Sequence, residues 1–256
     1  MRNIKLKLSY DGTEYVGWQV QPNGRSVQAL LQDAIGQLVQ SKVDVIASGR
    51  TDAGVHAIEQ VAHVRIDSTI PPDGIMKGAN SILPQDIAIV DAEEADLNFH
   101  ALRDAQGKQY RYRMLYCKQR VPLLNNRAWR IKHELDIELM KKASSYLVGK
   151  HDYESFRASG CTASDAVRTI TSINYVIPSN DSLSIPSEGR VVDIIFEGDG
   201  FVRHMIRNIV GTLVEVGLNN ISPDEVKSIL EKKNRQEAYR CAPACALYLV
   251  KVYYTV

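Results

Sequence analysis

The stretch Ile4-Lys5-Leu6-Lys7-Leu8-Ser9-Tyr10 alternates apolar and polar residues without a break. Successive side chains of an extended chain point to opposite faces, so Ile4, Leu6, Leu8 and Tyr10 share one face. The pattern predicts a half-buried strand, and Asp11-Gly12-Thr13 ends it. Working outward, Ser26 is a candidate N-cap for a helix running to about Gln40, with Val27, Leu30, Leu31, Ala34, Ile35 and Leu38 on one face. Val43 to Ser48 and Gln60 to Ile66 read as strands. Pro71 and Pro72 open a short helix near Met76 to Ile82, and Ile87 to Ala92 is a further strand. Strand, helix, strand, strand, helix, strand is the order of a split β-α-β, ferredoxin-like unit.

A comparable set follows. Gln109 to Cys117 alternates as a strand, and Ala128 to Lys132 is a shorter one. Helices are expected over Asp136 to Leu147, Phe201 to Val216 and Pro223 to Lys232, and strands over Arg168 to Val176, Val191 to Glu197 and Leu247 to Tyr254. The expected class is α+β, with halves at 1–103 and 104–256. The Ser-, Pro- and Asn-rich segment Pro178 to Gly189 reads as an exposed loop.

With 256 residues the chain can bury a proper core, and its 45% apolar and 24% charged shares suit a globular protein. No apolar run reaches the roughly 18 residues of a membrane helix, and the N-terminus has strand alternation rather than a secretory core. A cytoplasmic, membrane-free protein is expected. Cys117, Cys161, Cys241 and Cys245 are expected to be free buried thiols, and no histidine pairs with another His or Cys at metal-ligand spacing. Neither metal nor cofactor is expected. The formal net charge of +1 conceals segregation: Ala101 to His133 holds nine basic residues against Asp104, and Asp67 to Asp96 seven acidic residues against Lys77. The first segment, with Arg50 and Arg203, is expected to line a basic cleft.

Four stretches are richer than folding requires. Ser48-Gly49-Arg50-Thr51-Asp52-Ala53-Gly54-Val55-His56 sets one carboxylate between glycines just after a strand, a common place for active residues; an Asp that bonds its own turn is the plainer reading. Lys108 to Arg113 puts Tyr110 and Tyr112 on one strand face and Arg111 and Arg113 on the other. Such rings can stack on bases or merely pack. Gly200 to Gly211 opens the helix expected from Phe201, with Arg203, Arg207 and Gly211 along one face; a solvated arginine pair is the ordinary reading, while a largely buried Arg207 would need an anionic partner, for which Asp52 is a candidate. Ser9 to Gln21 is a long polar and aromatic loop.

Together these stretches resemble the tRNA pseudouridine synthase A family. The resemblance rests on Tyr10-Asp11-Gly12-Thr13 with Gly17-Trp18-Gln19, on Gly49-Arg50-Thr51-Asp52-Ala53-Gly54-Val55-His56, on Lys108 with Tyr110 and Tyr112, and on Gly200-Phe201 through Arg207-Asn208 and Gly211-Thr212. Ser155-Phe156-Arg157, Val167-Arg168-Thr169-Ile170 and Leu247-Tyr248-Leu249-Val250 support it. It implies two ferredoxin-like halves forming one extended, mostly antiparallel sheet with helices on one side. It implies isomerisation of uridine to pseudouridine at positions 38 to 40 of the tRNA anticodon stem-loop, by a homodimer without cofactor or metal. Asp52 matches the catalytic aspartate, Arg50 the arginine that holds the flipped-out state, Tyr110 the tyrosine stacking on the uracil, Arg207 the arginine paired with the carboxylate, and Leu247 an apolar residue against the base. Arg203 and His56 fall with the substrate-binding residues. Leu102-Arg103-Asp104, Ala246 and Tyr153 depart from the family's usual residues.

Overall fold

The computed structural model describes residues 1–161, 163–178 and 189–255. The loop expected over Pro178 to Gly189 therefore lies almost wholly outside the described residues. In chain order the first elements are β1 (Arg2–Tyr10), α1 (Val27–Val39), β2 (Val45–Ala47), β3 (His56–Ile66), α2 (Pro72–Ile82) and β4 (Ile87–Ala95). Then come β5 (Ala105–Tyr116), β6 (Trp129–Ile131), α3 (Ile137–Ser145), β7 (Gly149–Asp152), β8 (Val167–Val176), β9 (Arg190–Gly198), α4 (Met205–Gly217), α5 (Pro223–Lys232) and β10 (Leu247–Tyr254). The class is α+β.

The chain divides into one unit of Met1–Lys108 with Tyr248–Val256 and another of Gln109–Leu247. This differs from the expected halves at 1–103 and 104–256. The last strand returns to the first unit because β10 pairs in parallel with β3, Tyr248 opposite His56 and Leu249 opposite Ala57. A pairing so distant in sequence leaves no local signal.

In the first unit the strands run β4-β1-β3-β10, with β2 added to β3. β1 is antiparallel to both neighbours, and Ile4, Leu6 and Leu8 stand opposite Val64, Ala62 and Gln60 of β3. That apolar face is covered by Leu31 and Ile35 of α1 and Ile75 and Ala79 of α2, all buried. Full burial of each leucine or isoleucine side chain contributes about 1.5–3 kcal/mol. Ser26 caps α1 by accepting from the Ala29 amide at 3.3 Å, and Gln40 ends the helix in the left-handed region at φ 53°. Both ends fall where the sequence placed them.

In the second unit the order is β5-β9-β8-β7, with β6 added in parallel to β5. Tyr110, Tyr112 and Met114 of β5 point inward and are buried, as the alternation predicts. The core gathers Ile206, Ile209, Val210, Leu213 and Val214 of α4, Met140 and Ala143 of α3, and Ile229 of α5. The helix expected from Phe201 starts four residues later, at Met205. His204 takes a left-handed conformation (φ 63°) as its N-cap residue, and a preceding turn closes from the Met205 amide to the Val202 carbonyl at 3.0 Å.

Candidate active site

Asp52 lies on the loop between β2 and β3, and that loop is fastened on several sides. The Gly17 and Asp52 backbones form an antiparallel bridge, and the Trp18 amide donates to the Thr51 carbonyl at 3.0 Å. Behind Asp52, the Val55 amide donates to its carbonyl at 3.1 Å. Gly17 is required twice over: its φ is +111°, and a Cβ there would stand 2.7 Å from the Thr51 carbonyl oxygen. The long polar loop after β1 is thus the brace of the Asp52 loop. Asp52 is half-buried, while Arg50, two residues earlier, is exposed.

Beneath the loop runs a buried polar network. Tyr10 Oη and Thr51 Oγ1 share a hydrogen bond of 2.8 Å. Gln60 Nε2 donates to the Gly49 carbonyl at 3.0 Å, and its Oε1 accepts from Ser48 Oγ at 2.7 Å. Lys108 Nζ donates to the Ser48 carbonyl at 2.8 Å. Burial pushes the Tyr10 hydroxyl up to about 12, against the pull of its hydrogen bonds to Thr51 and Gln60, so it stays protonated at neutral pH. Leaving one of these groups without a partner would cost about 1–3 kcal/mol.

His56 is 2% exposed, with Tyr248 stacked on its ring at 4.7 Å. Its Nδ1 lies 3.1 Å from the Gly12 amide nitrogen and 2.9 Å from Asp11 Oδ1. One ring nitrogen can accept from the amide or donate to the carboxylate, not both at once. Asp11 Oδ1 also takes the Thr13 amide (3.1 Å) and hydroxyl (2.6 Å).

In the second unit, Arg207 on α4 donates from Nε to the Ala242 carbonyl at 2.8 Å, and the Ala242 amide donates to the Arg207 carbonyl at 3.1 Å. Gly211 lets the chain pass here, since a Cβ on it would drive into the Arg240 carbonyl. Asn208, fully buried, donates to the Phe156 carbonyl at 2.7 Å and accepts from Arg235 at 3.0 Å. The Tyr110 ring meets Phe201 edge-on at 5.3 Å between centroids, and Tyr112 donates its hydroxyl to the Pro243 carbonyl at 2.9 Å. Burial raises the Tyr112 hydroxyl well above the ordinary tyrosine range.

A family model described as tRNA pseudouridine synthase matches residues 8–102 and 143–255. Among curated proteins, the tRNA pseudouridine synthase A of Acetivibrio thermocellus is 45% identical over 254 residues, 99% of this chain and 100% of its own. That of Pelobacter propionicus is 42% identical over 254 residues, 99% of this chain and 100% of its own. The chain belongs to the tRNA pseudouridine synthase A family. Among solved structures, a dye-decolorizing protein from V. cholerae covers 98% of this chain and 92% of its own at 11% identity and TM-score 0.20, too slight a likeness to carry any argument.

The family's enzymes are isomerases, and the residues that carry the resemblance fall in both units of this chain. In the first unit Arg50 and Asp52 share one braced loop. In the second, Tyr110 lies on β5, Arg207 on α4, and Leu247, 6% exposed, opens β10. His56 is buried on β3, a strand that starts four residues earlier than the alternation suggested. Arg203 is exposed, but it precedes α4 and so does not share a helical face with Arg207 and Gly211. The basic segment is also partly committed to the fold. Arg113 grips Asp193 with two bonds of 2.8 Å, and Arg130 donates to the Cys117, Lys118 and Gln119 carbonyls at 3.0–3.4 Å. Of the cysteines only Cys117 is buried; Cys161, Cys241 and Cys245 are half-buried, a correction to the expected buried set.

Gln60, Ser48 and Tyr10 escaped sequence reasoning as site residues. The signal available was a lone Gln in an otherwise apolar strand row, which calls for partners. The departures are absorbed locally. The extra hydroxyl of Tyr153 donates to the Leu147 carbonyl at 2.6 Å, and Asp104 accepts from the His100 amide at 2.8 Å. Among the described residues no cluster of three or more His, Cys, Asp or Glu could hold a metal, and no helix is long and apolar enough to cross a membrane.

Proposed function

We propose that the protein converts uridine to pseudouridine at positions 38 to 40 of the tRNA anticodon stem-loop, with Asp52 as the catalytic carboxylate. The observation that carries this reading is the half-buried Asp52 on a loop bridged to Gly17 and held from below by Gln60, Tyr10 and Lys108. A turn aspartate with no other task needs no such bracing. The reaction is an isomerisation: the C1′–N1 bond breaks, C1′ joins C5, C5 loses its proton and N1 gains one. Nothing is consumed, which suits a protein working without cofactor or metal.

A stem uridine must first leave its stack, at a cost of a few kcal/mol. Stacking on Tyr110, worth about 1–3 kcal/mol, offsets part of that cost, and the exposed Arg50 holds the displaced state. Asp52 then acts on the nucleoside as nucleophile or base. Arg207 complements its charge, and Leu247 packs against the base. Arg203 and the exposed basic residues of the 101–133 segment meet the backbone phosphates. The roles of Tyr110, Arg207 and Leu247 rest on their correspondence to family positions. Homodimeric assembly comes with the same correspondence, and the place of action is the cytoplasm, where the substrate is.

Pseudouridine mapping of bulk tRNA from a strain lacking the protein tests the site assignment. Loss at positions 38 to 40, restored by the wild-type gene, is the expected result. Unchanged pseudouridine there, with loss at another tRNA position, would overturn it.

A further inference from the structure

β3 turns Gln60, Ala62, Val64 and Ile66 to one face, opposite Leu8, Leu6, Ile4 and Arg2 of β1. Of the four β3 residues Gln60 alone is polar, and it is 0% exposed. A hydrocarbon would fill this place without needing partners. Instead the amide spends both ends on the loop above: Oε1 accepts from Ser48 Oγ at 2.7 Å, and Nε2 donates to the Gly49 carbonyl at 3.0 Å. Nε2 also lies 3.5 Å from Tyr10 Oη, whose bond of 2.8 Å to Thr51 Oγ1 reaches the residue before Asp52. Two adjoining strands thus grip the loop at Ser48, Gly49 and Thr51. Neither Gln60 nor Tyr10 has the exposure to meet a substrate.

We propose that Gln60, seconded by Tyr10, is a positioning residue for the reaction, setting the Asp52 carboxylate through the backbone of Gly49 and the side chain of Thr51. The proposal rests on the reading of Asp52 as the catalytic group. A misplacement of about 1 Å can cost a hundredfold in rate without touching binding. Gln60→Leu keeps the volume and removes both bonds; its kcat should fall about ten- to a hundredfold, with KM for tRNA within twofold of wild type and native near-UV circular dichroism. Tyr10→Phe, which deletes the bond to Thr51 and the longer one from Gln60 but leaves both bonds of Gln60 to the loop, should lower kcat less and in the same sense. Gln60→Glu adds a readout that packing alone would not move. Its protonated form can still donate to the Gly49 carbonyl, so its kcat relative to wild type should climb as pH falls.

An unchanged kcat in folded Gln60→Leu, or a raised KM with kcat intact, overturns the proposal. Should Gln60→Leu not fold, wild-type kcat in Tyr10→Phe together with a pH-independent Gln60→Glu to wild-type ratio overturns it instead. Asp52→Asn is run alongside. Normal turnover there would sink the assignment of Asp52, whereas an inactive Asp52→Asn beside a fully active Gln60→Leu would sink only the positioning role.

Discussion

Arg113 and Arg207 sit in similar sequence settings, each an arginine in an amphipathic element, yet their partners differ. Arg113 makes a two-pronged pair with Asp193, whose side chain is 7% exposed. Removing the arginine leaves that carboxylate buried and uncompensated, so Arg113→Met should cost about 3–5 kcal/mol in urea unfolding, with little change in tRNA affinity for the protein that remains folded. A loss of affinity without a loss of stability would return Arg113 to the RNA-binding set. Gly211 makes a contrasting case. The Arg240 carbonyl occupies the space of its missing side chain, so Gly211→Ala should destabilise by about 1–3 kcal/mol as the 240–243 segment is pushed off α4. Arg207 shares that segment through Ala242, so kcat should fall with stability in this variant.

At the scale of elements, most of the fold is legible and the misses have common causes. β1, α1 and β10 follow directly from alternation, a Ser cap and a run of β-formers. The start of α4 is missed because Phe201 and Val202 continue the apolar stripe backwards, while the left-handed His204 that ends it is a backbone event without a composition signal. The start of β3 is missed because His56 and Ala57 form ladder pairs with Tyr248 and Leu249, nearly two hundred residues away. The supports of the candidate site are harder to read than its motif residues, since Gln60 signals itself only as a lone polar residue in an apolar row and the bonds of Tyr10 and Ser48 appear only in the contacts. β3 also carries a pH-sensitive group. His63 is 2% exposed and accepts from the Ala101 amide at 3.1 Å. Burial, aided by the nearby His100 and Arg65, lowers it to about 4. The unfolded chain, with an ordinary value near 6.5, therefore binds the extra proton first. Stability should be unaffected by this group above about pH 6.5 and should fall as pH drops from there toward 4. Urea midpoints across this range check the sign; His63→Gln should flatten the limb, and a midpoint rising on acidification would contradict it.

For the whole molecule, the near-neutral sum of +1 is a cancellation, and the structure shows how part of it is spent. Asp91, Glu93 and Glu94 of β4 pair with Lys7, Lys5 and Arg2 of β1 across the ladder, which neutralises a share of the acidic segment on its own surface. Exposed pairs of this kind contribute about 0–1 kcal/mol each, so their chief effect is on the field of the protein. Lys108, Arg113 and Arg130 are bonded within the fold, whereas Arg50, Arg103, Lys118, Arg120, Lys132 and Arg203 are exposed, and the proposed function has them meet phosphates. tRNA affinity should then fall linearly in log–log terms with salt, at roughly 0.7–0.9 per phosphate contacted. A flat response would count against a basic cleft. In the proposed reading the carboxylate of Asp52 on its braced loop is the catalytic group, and tritium release from tRNA labelled at uridine C5 reports on it directly. Asp52→Asn should release no tritium while keeping the wild-type melting temperature and tRNA affinity; release at the wild-type rate would contradict the account.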